Sequence, residues 1–375
     1  MANPTRFISG ISTFPVKSIV NTFPTVPSQY QVNKGDDFIP FRQSTDYTAT
    51  TGGTGATAAA FSWNCGAVKV TSGSTTPYKS IEALGANSLQ FIPGNQVWHD
   101  VRMTAPIAGQ TNPSTDANIY SGFFDNVDPT AASNGVYFVK PAGGSTVNFV
   151  ILKAGTATTF QNVADLANPT GFYGSQFATP GSLTVNTTGT TLSSIAINSA
   201  GAGYRVAPLA VVNGTGGSGA QAYVQVDAAP TGQPGDGPAA GYSLAAPYIT
   251  AAGSGYTAGT FSIDLMPWIN FQFYYNGKGT MYVGVNGFTV LTIGKDGTTV
   301  ATPGSTYNVA TLGVNSFNFS GTTLSTSVAP VQPYTGDVYV ALPQVPVQLD
   351  FGIVGTTANN RVMYVEEVNI GSELN

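Results

Sequence analysis

The stretch from 269 to 293 constrains the fold more than any other part of this sequence. It reads Ile269-Asn-Phe-Gln-Phe-Tyr-Tyr-Asn276-Gly277-Lys-Gly-Thr280-Met-Tyr-Val-Gly-Val-Asn286-Gly287-Phe-Thr-Val-Leu-Thr-Ile293. Large apolar residues recur at every second position, the period of a strand with one face buried. Each Asn-Gly offers the pair of positive φ angles that a tight type I′ hairpin requires. The text therefore predicts an antiparallel meander of three strands, 269–275, 280–285 and 288–293. These hairpins need partner strands from elsewhere in the chain.

Further alternating runs rich in Val, Ile, Tyr and Phe stand at 136–140, 147–153, 337–342, 347–353 and 361–370. Helical periodicity is almost absent, and the best helical candidate, 165–168, stops at Pro169. The expected class is all-β. Its core has ample material, because 21 Phe, 18 Tyr and 3 Trp are present and each large ring buries about 150–250 Å².

Composition then removes whole classes of function. One His and one Cys supply neither a multi-His metal site nor a Cys/His zinc cluster. One Cys forms no intramolecular disulfide. Thirteen scattered cations against eighteen acids argue against nucleic acid, which demands several phosphate contacts in one place. The first ten residues lack the basic-then-apolar pattern of a signal peptide. No run approaches the roughly 18 apolar residues of a membrane span. The expectation is a soluble, acidic protein made in the cytoplasm, with a structural or binding role.

Three segments differ in style. In 1–30, Phe7, Ile8, Ile11, Phe14, Val16 and Phe23 are interleaved with Pro4, Pro15, Pro24 and Pro27. Proline at that density resists both helix and central strand, and so many large apolar groups in water would be a liability. This N-terminal arm lies over its own domain or docks onto another subunit. In the second case those six residues are the subunit-contact candidates. The segment 180–265 is dominated by Ala, Gly, Ser and Thr, with Arg205 its lone cation. It contains an echo, Ile197-Asn-Ser-Ala-Gly-Ala-Gly-Tyr204 against Ile249-Thr-Ala-Ala-Gly-Ser-Gly-Tyr256. Glycine there permits a tight turn, and the tyrosine caps a small core. We read 180–265 as an inserted β-module, and the flanks 31–179 and 266–375 as one β-sandwich.

The block from Phe271 to Val290, with Leu349-Asp-Phe-Gly-Ile-Val-Gly355 and Val362-Met-Tyr-Val-Glu-Glu-Val-Asn-Ile-Gly371, resembles the concanavalin-like jelly roll of laminin-G and pentraxin type. The resemblance implies two curved antiparallel sheets packed face to face. The pattern of small residues and Gly-x-Gly-Tyr between 195 and 226, and the opening Arg6-Phe-Ile-Ser-Gly-Ile-Ser-Thr-Phe-Pro15, are similar to structural proteins of marine tailed bacteriophages. That second resemblance implies a virion component.

Candidate chemistry is thin. Within Gln96-Val-Trp-His-Asp-Val-Arg-Met103, alternation puts His99 with Val97, Val101 and Met103, and Asp100 on the other face, so the two form no relay. The Glu-x-Asp-x-(x)-Glu strand of jelly-roll hydrolases is missing. Glu366 and Glu367, as neighbours on a strand, are expected on opposite faces. The densest oxygen cluster is Asp125-Asn126-Val127-Asp128. This makes Asp125 and Asp128 the calcium candidates, although turn chemistry explains the same text. Trp268, Tyr275 and Tyr334 are aromatic candidates for a sugar, with core packing as the default for each. Cys65 reads as a small buried residue. The glycines of 214–219 lack the Lys and helix of a phosphate loop.

The expected function is that of a non-enzymatic virion structural protein, a capsid decoration or cement protein. Its partners would be other virion proteins, the major capsid protein first, and further copies of itself on the particle. No cofactor is expected beyond the calcium candidate. The alternative is a lectin-like host-recognition module of a tail fibre or other appendage, with a surface glycan as ligand.

Overall fold

The computed structural model describes residues 30–36, 48–52, 57–62, 67–71, 78–83, 89–104, 117–144, 146–165, 181–201, 207–227, 243–266, 268–285, 288–294, 297–300, 316–319, 322–325, 338, 341–356 and 362–374. The arm residues Phe7 to Phe23, Cys65 and Tyr334 lie outside this set.

The chain is an all-β sandwich. One sheet has nine strands: β1 (Tyr30–Asp36), β3 (Thr57–Ser62), β4 (Ala67–Thr71), β6 (Asn95–Thr104), β17 (Trp268–Tyr275), β18 (Thr280–Val285), β19 (Phe288–Gly294), β20 (Gly297–Val300) and β24 (Val362–Leu374). Their order is β20-β19-β18-β17-β6-β24-β4-β3, and β1 also pairs with β24. The other sheet has seven: β2 (Thr48–Gly52), β5 (Tyr78–Ala83), β7 (Ala117–Phe124), β8 (Gly135–Lys140), β9 (Thr146–Lys153), β10 (Thr156–Asp165) and β23 (Gln348–Gly355), in the order β10-β9-β8-β7-β23-β5-β2. From β4 to β7 each successive strand changes sheet, and β23 to β24 crosses again.

Between β10 and β17 three two-stranded ladders pair among themselves. They are β11 (Ser182–Thr188) with β12 (Thr191–Ser199), β13 (Leu209–Asn213) with β16 (Ser262–Met266), and β14 (Ser218–Asp227) with β15 (Ser243–Ser254). A short ladder, β21 (Ser316–Phe319) with β22 (Thr322–Ser325), pairs with no other described strand, and β22 lies near β10.

The core follows from alternation. β7, β8, β9 and β23 send Ile119, Phe123, Phe138, Phe149, Leu349 and Phe351 inward, and β6, β17, β18 and β24 answer with Val97, Val101, Phe271, Phe273, Val283 and Ile370. Phe138 stacks on Phe271 at 4.9 Å, and Phe273 meets Phe123 edge-on at 5.4 Å. Each buried ring of this kind contributes roughly 1.5–3 kcal/mol. These contacts bind the two sheets together.

The meander forms as expected. Phe271–Tyr275 pair with Val285–Met281, and Val285 pairs with Phe288. Its first turn differs from the expected type I′. Positive φ falls on Gly277 (69°) and Gly279 (100°), while the Asn276 side chain accepts hydrogen bonds from the Lys278 and Thr280 N–H groups. A two-residue turn with both φ angles positive instead joins β9 to β10, at Ala154 (49°) and Gly155 (77°) between paired Lys153 and Thr156. Where a strand is expected at 337–342, the described residues Val338, Ala341 and Leu342 form a turn. The N–H groups of Ala341 and Leu342 both donate to the Val338 carbonyl, which buries Val338 and Leu342, four residues apart, on one side.

In the inserted ladders Tyr256 closes the small core. Its ring lies where a Cβ at Gly214, Gly217 or Gly253 would fall, and its hydroxyl accepts from the Ala220 N–H at 3.1 Å. Leu209 and Val211 of β13 pack with Trp268 and Tyr364, which fixes this corner of the module on the outer face of the nine-stranded sheet.

Candidate functional site

His99 faces inward and is fully buried. A carbonyl only accepts, so Nδ1–H donates to the Phe271 oxygen at 3.1 Å, which leaves Nε2 to accept from the Ser121 hydroxyl at 3.1 Å. The imidazole stacks flat on Phe273 at 4.8 Å. Burial drives its pKa down to about 3, against the smaller opposing pull of the Phe271 carbonyl. It is a neutral, bonded core residue and no base.

On the outer face of the nine-stranded sheet the polar residues of β6, β17 and β24 gather. Gln272 donates to Asp100 at 3.0 Å. Burial lifts the Asp100 pKa to about 6, opposed by the Gln272 and Asn270 hydrogen bonds and the Arg102 charge. Glu366 and Glu367 do not take opposite faces. A bulge between Val365 and Glu367 inserts an extra residue and breaks the period of two. Glu367 therefore lies opposite Arg102 in the ladder, while Glu366 Oε2 meets Arg102 Nε at 2.8 Å. Burial raises the Glu366 pKa and Arg102 opposes it. The same guanidinium lies 5.5 Å over the Trp268 ring. Trp268, flagged as a sugar candidate, is thus sandwiched between Arg102 and the module, and Tyr275 is wholly buried in the core. Of these carboxylates, Glu366 serves an ion pair with Arg102 and Asp100 accepts a hydrogen bond from the Gln272 amide.

The seven-stranded sheet carries a second cluster on its outer face. Tyr120, Phe124 and Tyr137 crowd together, with Phe124 and Tyr137 at 4.6 Å and Tyr120 and Tyr137 at 6.1 Å. Gly122 lies opposite both Tyr137 and Asp350 in the ladders. A Cβ there would overlap the Tyr137 main chain, so only glycine lets the ring lie across this strand.

Asp350 is 0% exposed, and neither of its oxygens has a hydrogen-bond partner. Burial first, then the negative charge of Asp128, push its pKa up to about 9. The Gln348 amide, two residues away on the same face, pulls the other way without meeting bonding geometry. At neutral pH this carboxyl keeps its proton. The same causes, burial and then Asp128, raise the Tyr120 pKa.

Asp125 and Asp128, the calcium candidates, are anchors of the 125–134 loop. Asp125 Oδ1 accepts from the Ser133 and Asn134 N–H groups, each at 3.0 Å, and Oδ2 accepts from the Asn134 amide at 2.9 Å. Asp128 Oδ1 caps the 3₁₀ turn Pro129–Ala131, taking the Thr130 N–H at 3.0 Å and its hydroxyl at 2.7 Å. Asn126 accepts from the Asp128 N–H. This is turn chemistry. Among the described residues no three His, Cys, Asp or Glu side chains converge on a metal-sized site. Asp350 and Asp128 form an acid and a carboxylate near one another. Yet the first is sealed from solvent and the second is bound into its loop, so the pair lacks the open cleft that hydrolysis of a glycosidic bond needs.

Two surface features escaped the sequence reading. Val127 (39% exposed) and Val345 (37%) both stand just past the end of the β7–β23 ladder, whose terminal pair is Phe124 and Gln348. Tyr223 (40%) and Tyr248 (44%) lie opposite one another on β14 and β15, ring centres 5.1 Å apart. No signal short of strand register could have paired them. Among the described residues no helix is long and apolar enough to cross a membrane.

No family model matches this chain, and no curated protein matches it either. Among solved structures it is similar to a protein of unknown function from Shewanella oneidensis MR-1, at 8% identity and a TM-score of 0.35, over 96% of this chain and 93% of that one. It is also similar to lectin II from Ulex europaeus, at 11% identity and a TM-score of 0.34, over 92% of this chain and 100% of that one. Overlaps this loose carry no functional argument.

Proposed function

We propose that this chain is a non-enzymatic structural protein of a tailed-phage particle, a decoration or cement protein that works by contact with neighbouring capsid subunits. The observation that carries the reading is the exposed pair Val127 and Val345 at one end of the sandwich. Two branched apolar side chains exposed beyond the same end of the β7–β23 ladder, on a protein with 8% charged residues, are suited to being covered by a partner surface. The chemistry available elsewhere supports the same reading: His99 is neutral and sealed, Glu366 is paired, and Asp125 and Asp128 hold a loop. The virion setting comes from the likeness of the 195–226 pattern and of the opening residues to tailed-phage structural proteins.

The test uses intact particles. The protein is located by imaging, and a Val127→Asp/Val345→Asp double variant is compared with the parent for occupancy after reconstitution. Occupancy should fall at least tenfold and should change little between 50 and 500 mM salt, because few charges take part. A protein absent from particles, or a double variant that binds as well as the parent, refutes the reading.

A further inference from the structure

The inserted ladders present a surface that the capsid reading does not use. The β12 and β15 strands lie antiparallel and side by side: the Leu244 N–H donates to the Ala200 carbonyl at one end, and the Tyr256 N–H to the Thr190 carbonyl at the other. Both hairpins turn alternate side chains, among them Leu183, Ile195, Ile197, Val224 and Leu244, into one apolar cluster. The outward side chains of β11, β12, β15 and β14 therefore share one face.

Its chemistry is unusual. Across the four strands the charged residue is Asp227, at the far end of β14, and the rest are Ser, Thr, Asn, Gln, Ala, Gly, Pro, Tyr or aliphatic. Asn186 donates to Ser194 at 3.0 Å and Asn198 to Ser182 at 3.2 Å, which holds two exposed amides in fixed orientation across the β11–β12 ladder. Beside them stand the rings of Tyr223 and Tyr248, nearly half exposed and tilted 43° to one another. Gln225 and Thr250 project from the same side of their strands.

We propose that this face is a binding platform for a neutral polysaccharide chain, with Tyr223 and Tyr248 as its stacking surface. The proposal stands apart from the capsid reading and does not rest on it. Sugar rings expose C–H faces that lie well on aromatic rings, and their hydroxyls need partners that both donate and accept, which Asn, Gln, Ser and Thr supply. An anionic polymer would need cations, and these four strands have none. A cationic one would need more than a single terminal aspartate. A second copy of this chain is the weaker occupant, because the centre of a protein interface is depleted in serine and this face is rich in it. Neutral, hydroxyl-bearing and ring-shaped is the complement that remains.

The experiment uses the full purified chain in affinity electrophoresis through gels containing dextran, laminarin, hydroxyethyl cellulose or galactomannan, with alginate and heparin as charged comparators. At least one neutral polymer should retard the protein, equally at 50 and 500 mM salt. Both Tyr223→Ala and Tyr248→Ala should weaken that retardation about tenfold. Tyr223→Phe should keep it within about twofold, because the ring and not the hydroxyl does the stacking. The tyrosines are surface residues, so circular dichroism should show each variant folded. Absence of retardation on every neutral polymer overturns the proposal. So does retardation that survives both alanine variants, or binding confined to the charged polymers. A dimer in sedimentation that the alanine variants dissolve would show the face to be a self-interface and would overturn it as well. Particle occupancy of the tyrosine variants is read separately, so failure here leaves the capsid reading to its own test.

Discussion

Replacing Asp350 by Asn should reshape the pH dependence of stability. The folded state holds this carboxyl at a pKa of about 9, against an ordinary value of 3.8. Between those two pH values the native chain keeps a proton that the unfolded chain has released. Stability then falls as pH rises, by about 1.4 kcal/mol for each pH unit per proton. The sign is clear: below 3.8 both states are protonated and nothing is lost, and above about 9 the loss is complete. By pH 7 the accumulated cost is about 4 kcal/mol. Asparagine keeps the shape and cannot ionise, so this cost vanishes in the variant. With an unfolding entropy of roughly 2 cal/mol/K per residue over a chain of this length, 4 kcal/mol corresponds to about 5 °C in Tm. The assay is differential scanning calorimetry of parent and Asp350→Asn between pH 4 and pH 8. Whatever their difference at pH 4, the variant should gain about 5 °C on the parent by pH 7. Parallel curves across the range would refute the argument, since they would mean that Asp350 is ionised or hydrated in the native state.

Three further outcomes follow from particular contacts. Ala154→Asn should stabilise the protein by about 0.5–1 kcal/mol, because Asn tolerates the left-handed conformation that Ala154 occupies; the urea midpoint should rise with an unchanged m-value. Gly122→Ala should cost about 1–3 kcal/mol, because the new methyl would overlap the Tyr137 main chain, and the same denaturation curve reads it. Arg102→Met should cost about 1–3 kcal/mol at pH 7 by leaving the half-buried Glu366 carboxylate without its ion-pair partner. Protonation of Glu366 should narrow that gap toward pH 4, which melting at the two pH values checks.

The fold was legible wherever alternation ran unbroken. The 269–293 meander, the inward turn of His99 and the opposite direction of Asp100 all follow from a period of two, and each is present in the structure. Alternation failed where the backbone departs from that period without a compositional mark. The bulge at Val365 brings Glu366 and Glu367 to one side, and no residue type there announces it. The apolar spacing of 337–342 suits both a strand and one helical turn, and of its described residues Val338, Ala341 and Leu342 take the turn, with Val338 and Leu342 both buried. The tight hairpin formed at Ala154-Gly155, where Asn134 Oδ1 accepts from the Ala154 N–H and the Ser133 carbonyl accepts from the Gly155 N–H. Tertiary hydrogen bonds, not intrinsic preference, hold that alanine. The exposed tyrosines and the sealed Asp350 depend on which strands become neighbours. That information lies in the pairing of distant segments, beyond any local pattern.

The β1–β24 ladder has a mechanical consequence. Tyr30 lies opposite Glu373, so the first residue of β1 and the last paired residues of β24 meet at one corner of the nine-stranded sheet, on neighbouring antiparallel strands. Traction that separated those two points would load the hydrogen bonds singly, as a zipper opens, and the resisting force would be small. Held by both points on one support, the two strand ends would move together, and a drag force on the sheet would no longer peel the strands apart.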